Sequence, residues 1–122
     1  MSATRVLVID DNEDARTLIQ LALRAEGFDV STASNGTGVS QRVQEFGAAI
    51  VITDIVMPER DGIETIAELR RDFPAVKIIA ISGAVAMTGF DYLAVPRELG
   101  AERVLRKPFN LDELISAVRE LA

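Results

Sequence analysis

The chain contains no cysteine, no histidine and no tryptophan. The first absence excludes disulfides and thiol nucleophiles, and the second excludes Ser-His-Asp machinery and the usual zinc sites. Any metal must therefore be a hard ion held by oxygen. Aromatic residues are few, five Phe and one Tyr, so the core has to be aliphatic. Basic residues are also short: 13 Lys and Arg stand against 19 Asp and Glu, and the net charge of −6 argues against direct nucleic-acid binding, which rewards a basic footprint. Long apolar runs are missing too. The N-terminus offers one arginine and then Val6-Leu7-Val8-Ile9, too short for a signal peptide or a membrane span. These absences predict a cytoplasmic protein that meets other proteins, or a small anion together with a metal.

What is present fits one domain over residues 1–122, without repeats or linkers. At 122 residues and 48% hydrophobic, the chain is large enough to fold without staples. Ala48 to Thr53 is a continuous run of small and β-branched residues, read as a central parallel strand covered on both faces, with Asp54 at its carboxyl end. Val6 to Ile9 is a second buried strand, ending in Asp10-Asp11. Asn12 then caps a helix whose inward face is Ala15, Leu18, Ile19, Ala22 and Leu23, stopped by Gly27. Residues 28–33 are more polar and fit an edge strand, followed by the Asn35-Gly36 turn. A helix over residues 38–46 turns Val39, Val43 and Phe46 inward and stops at Gly47. After Asp54 come Met57-Pro58 and the turn pair Asp61-Gly62, then a helix carrying Ile63, Ile66, Ala67 and Leu69. Lys77 to Ile81 is a further strand, closed by Ser82-Gly83. A fourth helix is expected over about residues 90–99. Arg103 to Arg106 is a short polar strand at the other edge, and Lys107-Pro108 follows it. The last helix starts at the Asn110 cap and presents Leu111, Leu114, Ile115, Val118 and Leu121. Five strand-helix units with short links predict a parallel sheet with right-handed crossovers and helices on both faces.

In such a sheet ligands gather beyond the carboxyl ends of the strands. Asp10, Asp11, Asp54, Ser82 and Lys107 all stand there. Alone, an Asp-Asp pair is most often a solvated helix cap, and Lys107 a surface charge; together on one edge they point to chemistry. Three crowded carboxylates favour either proton uptake or a divalent cation, and magnesium suits carboxylates combined with phosphate oxygens. A carboxylate can also attack phosphorus and form an acyl phosphate, with a lysine and a hydroxyl opposite to receive the oxygens.

The ordered set Asp10-Asp11, Asp54 with Met57-Pro58 and Asp61-Gly62, Ser82-Gly83 and Lys107-Pro108-Phe109 resembles the receiver domain of two-component response regulators, over the whole chain. The resemblance implies a flavodoxin-like (βα)5 doubly wound fold with strand order 2-1-3-4-5. It further implies that Asp54 is the phosphoryl acceptor. Asp11, Asp54 and the Val56 backbone carbonyl would hold Mg²⁺, with Asp10 contributing through water. Lys107 would pair with the phosphoryl oxygens and Ser82 would hydrogen-bond one of them. The Lys107-Pro108 peptide would be cis. The implied protein is a stand-alone response regulator that catalyses only its own phosphorylation and autodephosphorylation. Its phosphodonor would be a histidine kinase or a histidine phosphotransfer protein, since the chain has no histidine of its own. Its downstream partner would be a protein docking on the fourth expected helix, the fifth strand and the final helix, and the chain would be a monomer or weak dimer. The chain departs from the pattern in two places: the family often has an aromatic residue three before the lysine, where this chain has Val104, and the link from Ser82 to Lys107 is about three residues longer than in the family's common form, with the excess near Met87 to Tyr92. Three alternatives remain beside this reading. A Mg-dependent aspartate-nucleophile phosphohydrolase would carry an Asp-x-Asp after the first strand, unlike Asp10-Asp11-Asn12. A flavin or nucleotide binder would need a phosphate loop there. A receiver-like module that only binds partners would not need the full acid set.

Overall fold

The computed structural model describes residues 3–55, 62–82 and 100–122. Among these, five strands form one parallel sheet: β1 (Arg5–Ile9), β2 (Asp29–Ala33), β3 (Ile50–Asp54), β4 (Lys77–Ser82) and β5 (Arg103–Arg106). Their order is β2-β1-β3-β4-β5, so the polar β2 and β5 are the edges, as their sequences predict. Four helices are described: α1 (Glu13–Ala25), α2 (Val39–Phe46), α3 (Gly62–Asp72) and α4 (Leu111–Leu121). The helix expected over residues 90–99, together with Val56, Met57-Pro58 and Asp61, lies outside the described residues.

Strand alternation sends successive side chains to opposite faces. Leu7, Ile9, Val51, Ile78 and Ala80 therefore enter one core, with Val39 and Val43 of α2 and Ile66 and Leu69 of α3. Val6, Val8, Ile50, Ile52, Ile79 and Ile81 enter the other, with Ile19 and Leu23 of α1 and Leu114 and Val118 of α4. Each such side chain, fully buried, contributes about 1.5–3 kcal/mol. Asn12 and Asn110 cap α1 and α4 by accepting the amide hydrogens of Ala15 and Glu113. Gly27 and Gly47, at φ +94° and +74°, supply the left-handed turns that end α1 and α2.

Two expected core positions face outward instead. Leu18 is 55% exposed, because Ile19 and Leu23 already fill the seam between α1 and the sheet. Ala67 is exposed while Thr65 is fully buried. The reason is Gly36, which comes so close that a Cβ there would lie 1.9 Å from the Thr65 hydroxyl; α3 is rolled to receive that loop.

Candidate functional site

Parallel register brings the functional residues to one edge. Ile9 is paired with both Ala33 and Thr53, and Asp54 with Ile81. Asp10 is the next residue after β1, and its amide still donates to the Ala33 carbonyl at 3.2 Å. Asp54 closes β3. Ser82 closes β4 beside Arg106, and its carbonyl accepts the Lys107 amide at 2.8 Å.

Asp10, Asp54 and Ser82 are 2%, 5% and 2% exposed, whereas Asp11 is open to solvent. One oxygen from each of Asp10, Asp11 and Asp54 lies within 4.8 Å of the others. Lys107 Nζ donates to Asp54 Oδ2 at 3.0 Å and stands 3.6 Å from Asp10 Oδ2. Burial pulls the Lys107 ammonium toward lower pKa, but its hydrogen bond with Asp54, and the charges of Asp54 and Asp10, outweigh that and hold it above the ordinary lysine range. It is a firm cation at neutral pH. Among the described residues of the cluster, three carboxylates stand against one ammonium, a formal excess of two negative charges. An oxygen-only donor set with this excess, opening to water at Asp11, fits a hard divalent cation.

The backbone around the cluster is tightly held. Asp10 Oδ1 accepts the Asn12 amide at 2.9 Å, Asn12 Oδ1 accepts the Ala15 amide at 2.8 Å, and Arg16 Nη1 donates to the Asp10 carbonyl at 2.7 Å. At Gly62 the start of α3 leans on the end of β3: its amide donates to the Ile55 carbonyl at 2.7 Å, and a Cβ there would lie 2.3 Å from the Asp54 carbonyl oxygen. The Lys107-Pro108 peptide is cis. Beside the cluster is a cavity of about 490 Å³, lined by Asp10 and Lys107 on its polar side and by Leu18, Ile19, Pro108 and Phe109 among its apolar residues.

The structure thus assembles Asp10, Asp11, Asp54 and Lys107, with Ser82 buried at the next strand end; Val56 lies outside the described residues. Val104 is half-buried and packs on the α2–α3 side of the sheet. The sequence reading gives Gly62 only turn chemistry and does not single out Arg16. A close backbone approach and a bond to a carbonyl leave no pattern in residue types.

A family model described as the response regulator receiver domain matches residues 6–119. The response regulator receiver protein CpdR of Brucella abortus is 34% identical over 117 residues, covering 96% of this chain and 95% of that protein. The sensor kinase CckA of the same organism is 34% identical over 122 residues, 98% of this chain but 12% of the kinase. The chain likewise spans about half of other relatives, for example 51% of the transcriptional regulatory protein PrrA of Mycobacterium leprae. Among solved structures, response regulator protein TrrA of Thermotoga maritima in complex with Mg²⁺-BeF has a TM-score of 0.82 and 32% identity, covering 98% of this chain and 99% of that one.

Proposed function

Since the chain belongs to the response regulator receiver family, phosphoryl-accepting switches of two-component signalling, we propose that Asp54 is the acceptor and that the acid cluster holds Mg²⁺ for the transfer. The observation that carries this reading is the seating of Lys107 Nζ between Asp54 and Asp10, at 3.0 and 3.6 Å, with Asp11 completing the oxygen cluster. Of the two carboxylates that face this lysine, Asp54 has the shorter contact and closes the central strand β3.

In the proposed reaction an Asp54 carboxylate oxygen attacks phosphorus, forming the acyl O–P bond while the P–N bond to the donor's imidazole breaks and its electron pair stays with the imidazole nitrogen. Lys107 lets go of the Asp54 oxygen and takes up the charge of the phosphoryl oxygens. This exchange costs little, because the ammonium moves from one anion to another within the same pocket. The Ser82 hydroxyl donates to a further phosphoryl oxygen. Asp10, Asp11 and Asp54, with the Val56 carbonyl, would hold the Mg²⁺; when bound it neutralises the carboxylates and the phosphoryl charge. The TrrA complex with Mg²⁺-BeF supports the choice of metal by similarity.

Receiver domains take their phosphoryl groups from histidine kinases, and the chain has no histidine of its own. We assign the donor as a histidine kinase or phosphotransfer protein, and the output as a protein partner meeting β5, α4 and the segment before them. No described helix is long and apolar enough to cross a membrane, in keeping with a cytoplasmic role. The test is intact mass after incubation with acetyl phosphate. A single phosphoryl adduct that needs Mg²⁺ supports the reading; no adduct, or one of equal yield without metal, overturns it.

A further inference from the structure

Of the three clustered carboxylates, two are held by side-chain contacts and one is not. Asp10 accepts the Asn12 amide and faces Lys107, and Asp54 bonds Lys107 directly. Asp11 is exposed and has no hydrogen-bond partner among the described residues. Its position therefore depends on the backbone that carries it. That backbone is held on both sides of Asp11: the Asn12 amide, in the peptide after it, donates to Asp10 Oδ1 at 2.9 Å, and Arg16 Nη1 donates to the Asp10 carbonyl, in the peptide before it, at 2.7 Å. This carbonyl belongs to the peptide plane joining Asp10 to Asp11, so the contact restrains ψ of Asp10 and φ of Asp11 together. Arg16 itself is half-buried in the first half of α1, and its own amide bonds the Asn12 carbonyl at 3.1 Å. The backbone from which Arg16 reaches is thus fixed by α1.

We propose that Arg16 is a positioning residue for the cation site: by holding the Asp10–Asp11 peptide it aims the Asp11 carboxylate at the place where Asp10 and Asp54 converge. The inference rests on the metal reading above. Losing an outer partner of a metal ligand typically costs about 10–100-fold in affinity, far more than a solvated helix arginine would.

The experiment is Mg²⁺ titration by calorimetry on the full chain, with melting of the metal-free protein as a parallel readout. Arg16→Met removes the donor and keeps helix propensity, and Arg16→Lys keeps a donor of similar reach. Arg24→Met is the control, since Arg24 also lies on α1 and also donates to a backbone carbonyl, that of Val30 at 3.2 Å, but at the far end of the helix. Arg16→Met should raise the Mg²⁺ Kd about tenfold, Arg16→Lys should lie nearer wild type, and Arg24→Met should leave Kd unchanged even where it lowers the melting temperature. The Arg16→Met to wild-type ratio should persist at about 0.5 M NaCl, where the Debye length is about 4 Å. A ratio that vanishes there would mean that Arg16 acts as a distant charge, and would overturn the proposal. So would equal losses in the Lys and Met variants, or an unchanged Kd in Arg16→Met while wild type binds. If wild type itself binds no Mg²⁺, the metal reading falls and the role of Arg16 with it.

Discussion

The two edges of the sheet carry ionic groups of opposite design. At the amino edge Arg70, near the end of α3, donates to both carboxylate oxygens of Glu102, at 2.9 Å to Oε2. Glu102 Oε2 also accepts the Ile78 amide at 3.3 Å, and Arg70 Nη1 donates to the Pro74 carbonyl at 2.9 Å. Charge is balanced, and both side chains keep about a fifth of their surface, 22% and 21%. At the carboxyl edge the described residues are unbalanced in formal charge, and Asp10 and Asp54 are far more buried. A balanced pair ties elements together and calls for no further charge, although among the described residues Arg70 Nε is buried without a hydrogen-bond partner. Excess charge of one sign in a buried place costs stability, and persists where it has a ligand to meet.

Substitutions can break this contrast. The largest effect is expected from Asp54→Asn, which removes the proposed nucleophile and one of the repelling charges. Phosphorylation should be lost completely while thermal stability holds or rises, as read by intact mass and melting; a normal adduct yield in this variant would show that another residue is the acceptor. Lys107→Ala comes next. Removing one preorganised donor to a developing anion should slow phosphorylation by acetyl phosphate about 100-fold at saturating Mg²⁺. The same variant should bind Mg²⁺ at least as tightly, since a competing cation has gone, and an unchanged phosphorylation rate would exclude the assigned role. Gly62→Ala tests the packing beneath Asp54. Its new Cβ would meet the Asp54 carbonyl, an atom that cannot swing aside, so urea unfolding should show a loss of about 1–3 kcal/mol. A stability equal to wild type would mean that α3 can retreat freely.

The smallest effect sharpens the contrast from the other side. Glu102→Gln should lower the melting temperature yet leave phosphorylation unchanged, together with the stabilisation by Mg²⁺, about 1.4 kcal/mol at ten times Kd. Asp11→Ala should abolish that stabilisation. Thermal melts with and without Mg²⁺ decide it: a Glu102→Gln variant that loses the shift would join the two edges into one network.

The fold was legible because its signals are repeated along the chain. The run ending at Asp54, the capping residues Asn12 and Asn110, and the stops at Gly27 and Gly47 each constrain one element, and the strand order then follows from family resemblance. The convergence of Asp10, Asp11, Asp54 and Lys107 was legible because each follows a strand in a parallel sheet. Helix faces were less so. Leu18 obeys the apolar period as well as Ile19 does, and only the width of the seam decides between them. Thr65 is buried because of Gly36, nearly thirty residues earlier, a pairing that no local pattern contains. Arg16 is invisible for a related reason: its partner is a carbonyl, which every residue has.

β3 lies between β1 and β4, and Ile50, Val51, Ile52 and Thr53 are fully buried. Amides so enclosed exchange with solvent only when the whole domain unfolds, whereas an exposed turn such as that at Asp11 opens with far smaller free energy. The site thus joins two parts of the molecule with different clocks. Transient breathing would let a cation depart past Asp11 many times before the strand bearing Asp54 is disturbed once. Deuterium uptake should therefore separate the two by orders of magnitude in rate. An acyl phosphate on Asp54, as proposed, would then be stored on a strand that opens only with the whole domain, and its erasure would be governed by water and metal reaching it, rather than by motion of the strand itself.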